Sequence, residues 1–436
     1  MKLTRIAASL VLVGLAGSAY ATNGMNMEGY GPIAAGMGGA SMAYDNGNAA
    51  MMNNPATLGL AADGNRLDVA LGFLGPDVAV VGGQSSGGDA YYMPAAGWTR
   101  KNGKLTYGVG MFAQGGMGTE FAMGMDGLPE RSELGVGRLI APLAFNVNPD
   151  LTIGGSVDFV WAMLDLRMAM PLSNMAGLIT PTGGGNGTLM GALGGMMGAG
   201  YDNARLDFSD GNDFTGKAKG YGLAGKLGFT YKINPMFTLG GTYHSKTDLG
   251  DMETNTGGAS MIVTDTGGNP TQAVPGKISV RDFQWPETYG LGVAIQANPR
   301  LLVALDYKRI NWKDVMKNFT MTYSAMGDSV TFALPQNWDD QDVFQIGLSY
   351  KATDALTLRA GANLSDNPIP DATMHYLFPA IVENHYTVGL GYAIDPTSDV
   401  NVSLQHAPEV EQTNSTFGYT VSHEQTSFQL MYSKRF

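Results

Sequence analysis

Few residues of this chain are equipped for chemistry on a small molecule. The five histidines stand at 244, 375, 385, 406 and 423, none in a His-x-x-x-His or Glu-x-x-His spacing; there is no Gly-x-Ser-x-Gly turn and no cysteine. Histidine metal sites, nucleophile elbows and thiol chemistry therefore lack their starting residues, and no catalytic set, metal or cofactor is expected. What remains is binding chemistry. Strand parity, set out below, turns Asp158, Lys226, His244, Asp306, Lys308 and Arg359 towards one interior. A cation at the end of an apolar pocket suits a fatty-acid carboxylate, and Lys226, Lys308 and Arg359 are the candidates. Hydrocarbons need no such partner. A second candidate is the loop from about 167 to 217, which carries Met190, Leu193, Met196 and Met197 among other apolar residues. Methionine is flexible and polarizable, so this stretch suits apolar ligands of several shapes, or else packs on itself as a lid.

The elements that would position these residues are strands. Fourteen stretches of alternating apolar and polar residues, each about ten residues long, run from 66 to 436. Their connections alternate between tight turns, such as Lys101-Asn102-Gly103, Asn148-Pro149-Asp150 and Asn298-Pro299, and long loops. Short turns on one side, long loops on the other and an even strand number predict an all-β fold: an antiparallel transmembrane β-barrel of fourteen strands. Parity sends Leu67, Val69, Leu71 and Phe73 outwards to lipid, and Leu227, Phe229 and Tyr231 likewise, with small or polar partners inwards. A soluble sandwich does not demand long connections all on one side.

Composition agrees. Charged residues make up 15% and apolar residues 44%, with 62 glycines; alternating strands average to such a neutral balance. The net charge of −12 argues against a nucleic-acid partner, which needs a basic face. Residues 1–21 have the form of a signal peptide: Lys2 and Arg5, an apolar run, then Ala19-Tyr20-Ala21. Residues 22–65 are too polar and glycine-rich to span a membrane and are expected to fill the lumen as a hatch, with 66–436 forming the barrel.

These features together resemble the FadL family of outer-membrane transporters for long-chain fatty acids and other hydrophobic compounds. The resemblance rests on Gly36 to Ala40, Asp45 to Asn48 and Asn54-Pro55-Ala56 in the hatch, on the third strand from Tyr107 to Gly116, on Trp285-Pro286-Glu287, and on Leu358 to Gly361 followed by Asp366 to Asp371. It implies passive uptake by loop capture, a pocket gated by the hatch at Thr22, Asn23 and Gly24, and a side exit where the third strand kinks at Gln114, Gly115 and Gly116. It also implies a monomer in outer-membrane lipid and lipopolysaccharide, inserted by the barrel-assembly machinery. A general diffusion porin for polar solutes, a hydrocarbon channel and an adhesive barrel are the alternatives.

Overall fold

The computed structural model describes residues 23–179, 187–212, 215–265 and 269–436; the expected signal peptide and Thr22 lie outside them. The chain forms β1 (Gly64–Val80), β2 (Tyr91–Asn102), β3 (Leu105–Phe121), β4 (Glu130–Asn146), β5 (Leu151–Pro171), β6 (Tyr201–Asp207), β7 (Ala218–Lys232) and β8 (Phe237–His244). Next come β9 (Asp248–Leu249), β10 (Met252–Glu253), β11 (Ala259–Asp265), β12 (Val274–Arg281), β13 (Thr288–Asn298), β14 (Leu301–Ile310), β15 (Asn318–Ala325) and β16 (Asp328–Pro335). The last are β17 (Gln341–Lys351), β18 (Leu356–Ser365), β19 (His385–Asp395), β20 (Ser398–Thr413) and β21 (Thr420–Arg435).

All pair antiparallel in one sheet, and β21 returns to β1 over the register Arg66↔Arg435 to Val80↔Val421, which closes a barrel. The expected strand number of fourteen is corrected: among the described residues the sheet has 21 strands. The excess is β6, β9, β10, β11, β12, β15 and β16, all within connections read as long loops. Most of these segments are seven or eight residues long, shorter than the roughly ten that cross a bilayer, so a membrane-length template passes over them. They pair with one another and with the upper parts of β5 and β7, and so extend the wall beyond the membrane.

The outer face is apolar where parity requires it: Leu67, Val69, Leu71, Leu227, Tyr231, Leu291, Ile346 and Leu348 are all exposed. With lipid as solvent, that exposure is burial. The same parity on β5 turns Thr152 and Asp158 inwards, and beyond them Val160, Ala162, Leu164, Leu166 and Met168, all buried. The interior therefore changes from polar to apolar along the strand.

The polar part is filled by the segment from Asn23 to Leu60, which is buried almost throughout. Inward side chains of the wall hold its backbone. Asp306 accepts the amides of Ser41 (2.6 Å) and Met42 (3.0 Å), Asp68 that of Asn48 (2.8 Å) and Thr387 that of Gly38 (2.9 Å). Asn54-Pro55-Ala56 opens the 3-10 helix Pro55–Leu60: the Asn54 side chain accepts from Ala56 N (3.1 Å) and donates to Met42 O (2.7 Å) and Phe229 O (3.1 Å), while Pro55 takes the first position, where no amide is needed. The contact leaves no room for a side chain on the wall at Gly240, where a Cβ would stand 1.9 Å from Met42 O.

Candidate functional site

The functional geometry lies where the N-terminal segment meets β3. β2 and β3 pair only as far as Ala96↔Met111, whereas β3 continues to Phe121 against β4 with a bulge at Gln114, since Ala113 opposes Gly137 and Gly115 opposes Val136. Above Met111 the edge of β3 thus leaves β2, and the bulge turns the strand. The freed carbonyl of Gln114 accepts from Tyr30 Oη at 2.7 Å, and its side-chain oxygen accepts from Arg138.

Asn23 to Asn26 forms a turn, closed by Asn26 N to Asn23 O at 3.2 Å, that docks on the bulge: Gly116 N donates to Met25 O at 3.2 Å. A Cβ at Gly115 would lie 2.1 Å from Met25 O, so only glycine permits this approach. Asn26 Oδ1 accepts from Trp285 Nε1 (3.3 Å) and lies 2.9 Å from Tyr30 Oη, and a Cβ at Gly24, which has a positive φ of 64°, would press on the Trp312 indole.

Two cavities flank this turn. The outer one, about 730 Å³, is lined by Leu164, Leu166, Met168, Met170 and Leu178 from β5 and its following helix, and by Phe283, Phe319, Trp338, His375, Tyr376 and Phe417 from the upper connections. The inner one, about 380 Å³, is lined by Glu28, Tyr91, Tyr92, Met93, Met111, Phe112, Trp161 and His423, and by Gly115 and Gly116 at the bulge. Met111 is also exposed on the lipid face, so this cavity lies against the wall where β2 and β3 part. Met25, Met117 and Leu134 line both cavities. Met25 is only 4% exposed, a flexible apolar plug between two apolar spaces.

Charge is confined to the inner cavity, where Glu28 and Glu133 belong to the lining. Among the described residues, no Lys or Arg lines either cavity, and the outer one has no Asp or Glu. In the loop between β18 and β19, burial pushes the His375 imidazole down to about 4, so it is neutral at physiological pH. Tyr376 donates to Glu130, which also accepts the Ala169 amide at 2.7 Å; this fixes the Tyr376 ring on the cavity wall. Deeper fixation comes from Arg205, which forks onto Asp126 (2.6 and 2.7 Å) and donates to the carbonyls of Leu128 and Pro129. The loop joining β3 to β4 is thereby tied to β6.

The cations singled out from sequence are elsewhere. Lys226 is buried in an ion pair with Asp158, which Arg138 also contacts at 2.8 Å. Lys308 borders a void of about 20 Å³ beside Asn53, Arg138 and His244, and Arg359 donates to Asn401 at 3.0 Å. The four loop residues expected to bind fall on the helix Thr188–Gly198: Met190 and Met197 are exposed, Leu193 is buried and Met196 packs half-buried on the core. None of these residues lines either cavity. The loop contributes instead through Met168, Met170 and Leu178. No motif or spacing marks Met25, Met117, Leu134, Trp312 or Trp338, and the one signal in the sequence is the apolar turn of inward parity beyond Asp158.

Comparison with known proteins gives the arrangement a family. Residues 13–432 match the family described as outer membrane protein transport protein (OMPP1/FadL/TodX). The toluene transporter TodX of Pseudomonas putida superposes with a TM-score of 0.82 at 31% identity, covering 95% of this chain and 100% of that one. The toluene transporter TbuX of Ralstonia pickettii gives 0.77 at 30%, covering 94% and 99%. A FadL homologue of Pseudomonas aeruginosa shares the fold, with a TM-score of 0.70 at 16% identity over 96% and 100% of the two chains. An uncharacterized protein of Chlorobium limicola is 52% identical over 75 residues, 17% of this chain; the match spans about a third (36%) of that relative's length. The closed barrel and the match along nearly the whole chain together make this protein a member of the OMPP1/FadL/TodX family of outer-membrane transport proteins.

Proposed function

We propose that the chain takes up small uncharged hydrophobic compounds, monoaromatic hydrocarbons among them, by passive diffusion from the outer cavity past Met25 into the inner cavity and sideways into the lipid between β2 and β3. The observation that carries this is the pair of apolar cavities joined at Met25, Met117 and Leu134 without a lining Lys or Arg. An empty apolar cavity of about 150 Å³ holds a benzene, so 380 and 730 Å³ are ample for substituted rings. A fatty-acid carboxylate is a poorer fit, because stripping its water without a cation to replace it costs several kcal/mol. A side exit keeps an apolar solute out of water throughout, at about 25 cal/mol for each Å² that stays covered. The segment from Asn23 to Leu60 closes the rest of the lumen, and the two toluene transporters it resembles, named for that solute, support the same class.

The test is uptake of radiolabelled toluene, oleate and a small sugar by cells that lack their own transporter, at matched surface expression. Toluene uptake alone should rise. Oleate rising equally would restore a fatty-acid carrier, and sugar uptake through the intact chain would make it a porin.

A further inference from the structure

The void of about 20 Å³ beside Asn26 and Gln114 has a polar lining made mostly of donors. Lys308 on β14 is 7% exposed, and its ammonium has no ion-pair or hydrogen-bond partner among the described residues. Asp306, two positions along the strand, is committed to the amides of Ser41 and Met42. Arg138 on β4 gives Nε to Gln114 and Nη1 to Asp158, which leaves Nη2. Gln114 and Asn26 use their side-chain oxygens to accept from Arg138 and Trp285, which leaves their amide nitrogens, and the Thr288 hydroxyl is likewise unpaired. None of these groups is sealed off from the void. Acceptors are scarce: Asn53 Oδ1 takes the Tyr30 amide (3.2 Å), and His244 gives Nε2–H to Asn53 O (2.9 Å), so only its Nδ1 is left to accept. No Asp or Glu lines the void. A buried cation persists only when it is paired, and a space of this size takes one water-sized particle. A water would offer two lone pairs to these donors and no charge to Lys308.

We infer that the void is a binding site for one monatomic anion of the halide class, held by Lys308 and Arg138, with Asn26, Gln114 and Thr288 donating to it. Carboxylates and phosphate are too large for the space. The anion links Asn26, in the turn that docks on the bulge, to Gln114 at the bulge itself and to the wall at β4, β13 and β14. It is therefore a clamp between the N-terminal segment and the barrel, placed next to the solute path, and it does not depend on which solute passes.

The test refolds the full chain from urea into detergent, once in sodium bromide and once in sodium gluconate at the same ionic strength. Crystals of the bromide form should show an anomalous peak in the void, in contact with Lys308 Nζ. Titrating bromide into the gluconate form should raise Tm saturably, by a few degrees once bromide is in large excess over Kd. Lys308→Met, similar in volume, should abolish both the peak and the saturable shift. Thr288→Val, which keeps the side-chain shape, covers the case in which the first variant does not refold; it should weaken the half-point of the titration about 2- to 10-fold, the range of one net hydrogen bond. A void without a bromine peak, together with a Tm that follows ionic strength whatever the anion, would show that water fills the space and would overturn the inference. A saturable shift that persists unchanged in these variants would overturn it as well, because the anion would then bind elsewhere.

Discussion

The lumen of this barrel is filled in two different ways. In the region occupied by Asn23 to Leu60, polar inward residues of the wall hold the segment's backbone, Asp306 two amides and Asp68 and Thr387 one each, while Asn54 of the segment donates to two carbonyls. Beyond Asp158 the inward residues are Val160, Ala162, Leu164, Leu166 and Met168, and the last three border a space of about 730 Å³. The same strand thus builds a seal with one half and a solute path with the other. The contrast teaches why charge in the lumen is a poor guide to the ligand. A buried charge survives only when it is paired or hydrogen-bonded, so the polar side chains that parity turns inwards are spent on holding the segment, and the ligand is left with the surfaces that make no such demands.

That contrast can be broken from either side. The largest effect should come from removing residues 23 to 62, which takes away the seal and should change sugar permeation in liposome swelling from undetectable to porin-like. If sugars stay excluded, the segment is not the seal. Next, Met25→Trp overfills the point where the cavities meet. Overpacking typically costs about 1–3 kcal/mol, and a barrier of that size should lower toluene uptake roughly tenfold or more, with sugar exclusion intact. Asp306→Ala acts on the sealing half alone: two amides lose their acceptor, which should cost about 1–3 kcal/mol for each, read as a lower Tm and faster hydrogen exchange at Ser41 and Met42, while toluene uptake holds. Lys226→Met sharpens the point about charge. Arg138 still faces Asp158, so a modest loss of about 1–3 kcal/mol in stability is expected, with no change in the preference for toluene over oleate; a shifted preference would return Lys226 to the binding site.

The smallest effect is a pH dependence. Burial lowers the His375 imidazole from 6.5 to about 4, so below pH 6.5 the unfolded chain takes up a proton that the folded chain refuses. The contribution of this group to stability is complete above pH 6.5 and is lost as pH falls towards 4. His375→Phe should therefore flatten a small part of the decline of Tm over pH 6.5 to 4, and leave toluene uptake the same at pH 7.

Period-two alternation made the barrel, the direction of its faces and the tight turns legible in the sequence, because a wall with lipid on one side must alternate. Leu67, Val69 and Leu71 face outwards as parity requires. The short strands β11, β12, β15 and β16 carry no such signal, because they pair mainly with one another and no membrane-length pattern marks them. The site was harder to read. Parity gives the side of the wall that a residue faces but not what fills the space it faces, so inward charges such as Lys226 and Asp158 are expected to be salt-bridged to the hatch or across the wall without the sequence saying which partner each takes. Nor does the spacing of Met25, Met117 and Leu134 along the chain bring them together; the docking of Met25 O on Gly116 N does that.

The most direct measurement is the anomalous scattering of iodobenzene soaked into crystals of the protein. The account predicts iodine peaks in the outer and inner cavities, on either side of Met25, and none along the segment from Pro32 to Leu60. Peaks among the polar contacts of that segment, or a solute confined to the outer cavity at saturating concentration, would contradict a path that runs past Met25 and out between β2 and β3.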